Sequence, residues 1–162
     1  MSVTHVVGVD PGLVHTGVVQ LCFRPERQHI TISSHAVVGC KADEVQRIVT
    51  HAGLKPDAIF IEGYRPRSNL NSDKRMVEGV AEIRKATKGT VLLNTGVKKV
   101  VKKSLMELLG VWSFSTVTNH QDLRSAARIA LLGMLKDEQM NRLLSDIVRD
   151  HLEGRDWHVA HG

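Results

Sequence analysis

The valine-rich run THVVGVD over residues 4–10 closes on Asp10, where Pro11 and Gly12 impose a turn. Such a run predicts a core strand with a carboxylate at its carboxyl end. Apolar character resumes from Thr16 to Phe23, RPERQH supplies a polar turn, and Ile30 to Val38 alternates as another β-branched stretch. The three runs read as an antiparallel meander. From Asp43 to His51, Val45, Ile48 and Val49 recur at helical spacing, and Pro56 ends that element. Ala58, Ile59, Phe60 and Ile61 then form a second buried strand, which ends at Glu62 before Gly63 and so repeats the strand–acid–glycine pattern of the first.

The stretch YRPRSNLNSDK has no hydrophobic period and reads as a surface loop, followed by a helix over Arg75 to Lys88 and a short strand over Thr90 to Leu93. Val97, Val101, Leu105 and Leu108 share one face of a further helix, with Lys98, Lys99, Lys102 and Lys103 on its other faces. Asn119 is placed to cap a helix whose inner stripe is Leu123, Ala127, Ala130, Leu131 and Met134. The small residues in that stripe would let the helix lie close to a sheet. Lys136 to Glu153 reads as a polar helix or pair of turns, and WHVAHG as a loose tail. A meander followed by strands alternating with helices predicts one α/β domain over residues 1–153 around a mixed sheet, with a flexible tail at 154–162.

Composition narrows this picture without changing it. The chain has 162 residues and a net charge of +5, from 22 basic and 17 acidic side chains. That length suits a single domain with a core that needs no metal staple or disulfide. The only cysteines, Cys22 and Cys40, form no zinc-type cluster and fit a reducing compartment. No run of eighteen apolar residues occurs, so no membrane span is expected, and the first residues lack the pattern of a signal peptide. A dinucleotide-binding fold competes on element order, but Gly8 and Gly12 do not supply its glycine-rich turn.

Candidate chemistry lies in the acids. Carboxylates at the ends of two adjacent strands repel each other and require a counter-charge, which a divalent metal such as magnesium supplies. Each has a plainer role available: Asp10 as the start of an Asp-Pro-Gly turn, Glu62 as a partner of Arg65 or Arg67. Asp122 stands at the third helical position after Asn119, where it can close a reciprocal cap and also face the strand ends. Ser125 shares roughly that face and is either a small packing residue or a holder of metal-bound water. Four lysines within six positions, with no acid among them, favour phosphate contact over a merely solvated face. Arg124 and Arg128 make a second cationic pair beside Asp122.

The stretch VVGVDPGLVHTG resembles the opening strand of the RuvC-type Holliday junction resolvases, IFIEGY resembles their second acidic strand, and HQDLRSAARIAL resembles their last acidic helix. The likeness spans roughly residues 4 to 135, with a basic helix in the expected place. It implies an RNase H-like fold with a mixed central sheet of about five strands flanked by helices. It further implies that Asp10, Glu62 and Asp122 are catalytic metal ligands for magnesium, with manganese able to substitute. Two such ions, roughly 4 Å apart, would activate water and neutralise the leaving 3'-oxygen.

The family's usual fourth acid is replaced here by Ser125, which weakens the expected coordination of the second ion; His120 is a possible auxiliary. By the same resemblance the substrate is branched DNA, above all four-way junctions, cut to 5'-phosphate and 3'-hydroxyl ends. DNA contacts are expected from Lys98, Lys99, Lys102, Lys103, Arg124 and Arg128, and from the loop after Glu62. That loop carries Tyr64, Arg65, Arg67 and Asn69, with Tyr64 either a wedge between bases or a residue that packs its own loop. A homodimer is expected, with contacts through Met76, Val80 and Ile83 unless that stripe is buried within the monomer. The setting implied is the cytoplasm of a bacterial cell or a phage-infected host. Alternatives are a nuclease of the same fold acting on forks, flaps or RNA–DNA hybrids, and a junction-binding protein with weak or absent catalysis. A sugar-kinase-like phosphotransferase is disfavoured, because the chain is short and has no glycine-rich ATP loop.

Overall fold

The computed structural model describes residues 2–162 apart from 52, 54, 69 and 115–119. The meander is present as β1 (Thr4–Asp10), β2 (His15–Arg24) and β3 (His29–Val38), each antiparallel to the one before. Helix α1 (Ala42–His51) leads to β4 (Ala58–Glu62), which lies parallel to β1 with Val9 opposite Ile61. Helix α2 (Asn71–Thr87) then returns the chain to β5 (Thr90–Leu92), parallel to β4. Two short helices, α3 (Val97–Val100) and α4 (Lys103–Leu108), precede the long α5 (His120–Lys136) and α6 (Glu138–Leu152), and β6 (His158–His161) ends the chain. The strands form one mixed sheet in the order β5-β4-β1-β2-β3-β6.

Side-chain alternation divides the core between the two faces of this sheet. Val7, Val9, Val18, Val37 and Ile61 point to the face covered by Val45 and Val49 of α1 and Val80 and Ile83 of α2. Val6, Val19, Leu21, Phe23, Ile30 and Ile32 point to the other, where α5 brings Leu123, Ala126, Ala127 and Ala130, backed by Leu144 and Ile147 of α6. At one methylene per roughly 0.8 kcal/mol, these two aliphatic layers supply most of the drive to fold. Among the described residues no helix is long and apolar enough to cross a membrane. Cys22 and Cys40 are free thiols, the first buried and the second partly so.

Three local expectations need correction, and one left open is decided. Helix α2 starts at Asn71 rather than Arg75, because Asp73 in its first turn reaches back to accept from the Ser68 backbone N–H at 2.9 Å and the Ser68 hydroxyl at 2.5 Å. These bonds tie the preceding loop to the first turn of the helix, and no apolar period announces them. The single basic helix is instead α3 and α4, parted at Val101, whose extended backbone turns its side chain into the core. The break also takes the lysine pairs out of continuous helical spacing, where like charges four apart repel.

The stripe of α2 proposed for a dimer lies largely inside the monomer, with Val80 8% and Ile83 0% exposed. Finally, residues 158–161, expected within a loose tail, pair in parallel with β3, His29 opposite His158 through Ile32 opposite His161. Four residues carry too little periodicity to announce a strand; the open edge of β3 provides the template. The sheet accordingly has six strands where about five were expected.

Candidate active site

Register places two of the three acids. Since Val9 and Ile61 face each other on the α1/α2 side, the next residues along each parallel strand, Asp10 and Glu62, both turn to the α5 side. Helix α5 brings the third. Asp10 pairs with Gly17 of β2, and a Cβ at Gly17 would lie 2.6 Å from the Asp122 carbonyl oxygen and 3.3 Å from its Cβ. A Cβ at Gly8 would lie 1.9 Å from the Ala126 carbonyl oxygen. Two side-chain-free positions in adjacent strands therefore let the first two turns of α5 descend onto the sheet, and Asp122 arrives over the end of β1. The capping residue proposed for this helix, Asn119, lies outside the described residues.

The electrostatics follow from this crowding. Asp10 is pushed from its ordinary 3.8 up to about 10 by burial, then by its hydrogen bond with Glu62, and then by the charges of Glu62 and Asp122. Burial and the neighbouring acids thus favour the neutral form of Asp10 when no cation is bound. Glu62 also accepts from Asn94 Nδ2 at 2.6 Å. Among the described residues no group of three histidine, cysteine, aspartate or glutamate side chains is disposed to hold a metal ion. The donor set nonetheless fits a hard divalent cation. It consists of crowded carboxylates whose mutual repulsion such a cation would relieve.

Cations border the acids on one side. Glu62, Asn94, Lys98, Ser125 and Arg128 line a small pocket of about 70 Å³. Lys98, Ser125 and Arg128 also line a neighbouring pocket of about 330 Å³, together with Trp112, Gln121 and Arg124. Burial lowers the pKa of Arg128 and the charge of Arg124 lowers it further, while Glu62 opposes both. The buried Nε of Arg128 has no hydrogen-bond partner. Lys103 lies with its Nζ 4.8 Å from the centre of the Trp112 ring. Lys99 and Lys102 are exposed outside these pockets.

The loop after Glu62 is tied down more than its composition suggests. Tyr64 donates its hydroxyl to Asp73, as Ser68 does, so the aromatic ring is anchored to the start of α2. Arg65 and Arg67 are exposed on the same loop, and Asn69 lies outside the described residues. His120, on a different phase of α5 from Asp122, presents its ring edge-on to Phe114 at 6.4 Å. Asn94, Asp73 and Trp112 were not singled out from the sequence. Asn94 two residues past a strand end is a readable hint; no spacing pattern marks the other two.

No protein-family profile matches the chain, and no curated protein matches it in sequence. Solved structures do match in shape. Thermus thermophilus RuvC in complex with a Holliday junction substrate superposes with a TM-score of 0.52 at 16% identity, covering 79% of this chain and 90% of that one. The fowlpox virus Holliday junction resolvase gives 0.49 at 12% identity, covering 83% and 100%. The first of these carries the assignment: the chain has the RNase H-like architecture of RuvC, a mixed central sheet flanked by helices.

Proposed function

We propose that the chain is a divalent-metal-dependent, structure-selective endodeoxyribonuclease of the RuvC type that resolves four-way DNA junctions, leaving 5'-phosphate and 3'-hydroxyl ends. This reading is supported by the hydrogen bond of Asp10 with Glu62 across adjacent strand ends, by the charge of Asp122 from α5 acting on Asp10, and by a cationic pocket beside Glu62. Asp10, Glu62 and Asp122 would hold the ion, magnesium or in its place manganese. Once bound, the ion supplies a nucleophilic water and neutralises charge on the phosphodiester. A second ion, as the family resemblance implies, would have Ser125 where an acid is usual and would draw on a substrate phosphate.

The chain's own residues do the rest. Lys98, Arg124 and Arg128 bind phosphates beside the acids, and Lys99, Lys102 and Lys103 extend the track along α3 and α4. Asn94 holds Glu62 in place through its amide. Arg65 and Arg67 add charge near the junction, with Tyr64 anchored behind them. Two copies acting together would match the two strands to be cut. The proposed setting is the cytoplasm of a bacterial cell or of a phage-infected host.

The test is cleavage of synthetic mobile and immobile four-way junctions, forks, flaps and RNA–DNA hybrids by the purified protein with magnesium, manganese or chelator. Paired nicks in junctions that require metal and vanish in Asp10→Asn support the proposal. Preference for forks, flaps or hybrids would reassign the substrate within the same chemistry, and junction binding without metal-dependent nicks would leave a binding protein. Sedimentation of the protein alone and on a junction checks the dimer.

A further inference from the structure

Trp112 stands in the short segment between α4 and α5, partly buried against the α5-side core. Three cations converge on its indole: the Arg124 guanidinium at 4.2 Å from the ring centre, Lys103 Nζ at 4.8 Å and the Arg128 guanidinium at 5.9 Å. The main chain of the same residue takes part as well, because Arg124 Nε donates to the Trp112 carbonyl oxygen. Among the described residues neither arginine forms a salt bridge with a carboxylate, although Glu62 lines the adjoining pocket with Arg128. Positive side chains gathered this closely repel, and the electron-rich face of an indole is one of few neutral surfaces that hold them together.

The arrangement has a directional consequence. With Nε spent on the Trp112 carbonyl, the terminal nitrogens of Arg124 are the donors left for a ligand, and an arginine fork suits a phosphate through two parallel N–H bonds. Arg128 contributes a buried, unpartnered Nε, a donor that calls for an acceptor. Lys98 and Gln121 complete the wall of the pocket of about 330 Å³. Arg128 also lines the pocket of about 70 Å³ with Glu62, so it stands directly beside that acid.

We propose that Trp112 is a positioning residue, whose ring and carbonyl hold Arg124 and Arg128 as a two-pronged clamp for a DNA backbone phosphate next to the acids. The role rests on the nuclease reading given above and adds to it a residue that touches neither the metal nor the scissile bond.

Binding measured in chelator, where no cutting occurs, isolates the clamp. For a labelled DNA duplex and an immobile junction, Trp112→Leu weakens binding about tenfold and lowers the slope of log affinity against log salt by about two, the signature of two lost phosphate contacts. Trp112→Phe retains a π face and recovers most of both. In the single-tryptophan chain Trp157→Phe, Trp112 emission shifts when duplex is added, and the shift disappears on adding Arg124→Ala and Arg128→Ala. This second measurement keeps Trp112 itself and so does not depend on Trp112→Leu folding. A Trp112→Leu protein that melts like the wild type and binds with unchanged affinity and salt slope overturns the clamp, as does unmoved Trp112 emission on a duplex that is bound. Both results leave the nuclease reading standing. A wild-type chain that binds neither DNA overturns that reading first and the clamp with it.

Discussion

Two aspartates at element ends show how one residue type can serve opposite purposes. Asp150, near the end of α6, is 8% exposed and surrounded by donors: Trp157 Nε1 at 2.9 Å, Arg155 at 3.1 Å and Gln28 Nε2 at 3.3 Å. The Trp157 and Arg155 hydrogen bonds hold its carboxyl below the usual range, and the carboxylate clasps the C-terminal segment so that β6 reaches the edge of β3. Asp10, at the end of β1, meets other acids instead and is pushed up to about 10, with burial the largest cause. A carboxylate fully met by donors is a structural clasp. One that can be settled only by taking up a proton is a place where an external cation has something to gain.

The largest effect that can break this contrast is catalytic. Asp10→Asn should lower junction cleavage by at least about 10²–10³-fold while junction binding persists, whereas Asp150→Asn should leave cleavage per folded molecule unchanged and lower the melting temperature. Gel assays and thermal melts on the same preparations decide it. Equal losses of cleavage in the two variants would erase the distinction.

Metal binding comes next. Magnesium or manganese at a hundred times its Kd should stabilise the wild type by ~2.7 kcal/mol, chelator should reverse this, and Asp10→Asn should respond little. Differential scanning fluorimetry across a metal titration reads it directly.

The pH slopes then sharpen the comparison. In chelator the folded chain keeps the Asp10 proton at pH values where the unfolded chain, at its ordinary 3.8, has released it. The stability owed to that proton is whole below about 3.8 and is lost as pH rises towards about 10. Asp10→Asn, which keeps a donor towards Glu62, should flatten this fall and melt roughly 3–6 °C higher at neutral pH without metal. Asp150 has the opposite sign: its contribution is present above the ordinary carboxylate range and is lost as pH falls through its lowered value. A melting curve for Asp10→Asn that keeps the wild-type slope between pH 5 and 9, roughly the span over which the two states differ, would remove the Asp10 proton.

The smallest effect belongs to Ser125, which lines the pocket with Glu62. Ser125→Asp should tighten magnesium binding severalfold by adding a hard oxygen ligand, as calorimetry would register.

Much of the chemistry was legible in the chain. The runs ending in Asp10 and Glu62 were readable as strands because valine and isoleucine dominate them and a turn follows at once, and the alanine stripe of α5 announced a helix pressed on a sheet. What spacing could not reveal is how the elements meet. Nothing in local periodicity joins Trp112 to Arg124, ties Tyr64 to Asp73, or breaks the basic helix at Val101. Those contacts form between segments that are each nearly featureless.

The sequence by itself determined which residues carry charge into the site and which periodicity each segment follows, since both are properties of side chains taken in order. Tertiary structure alone decided that parallel register turns Asp10 and Glu62 to one face, and that Gly8 and Gly17 let Asp122 come down beside them. It also decided that residues 158–161 form a strand at all. Convergence depends on distances across the sheet, and an edge strand needs a neighbour's unpaired backbone groups; neither is written in any single segment.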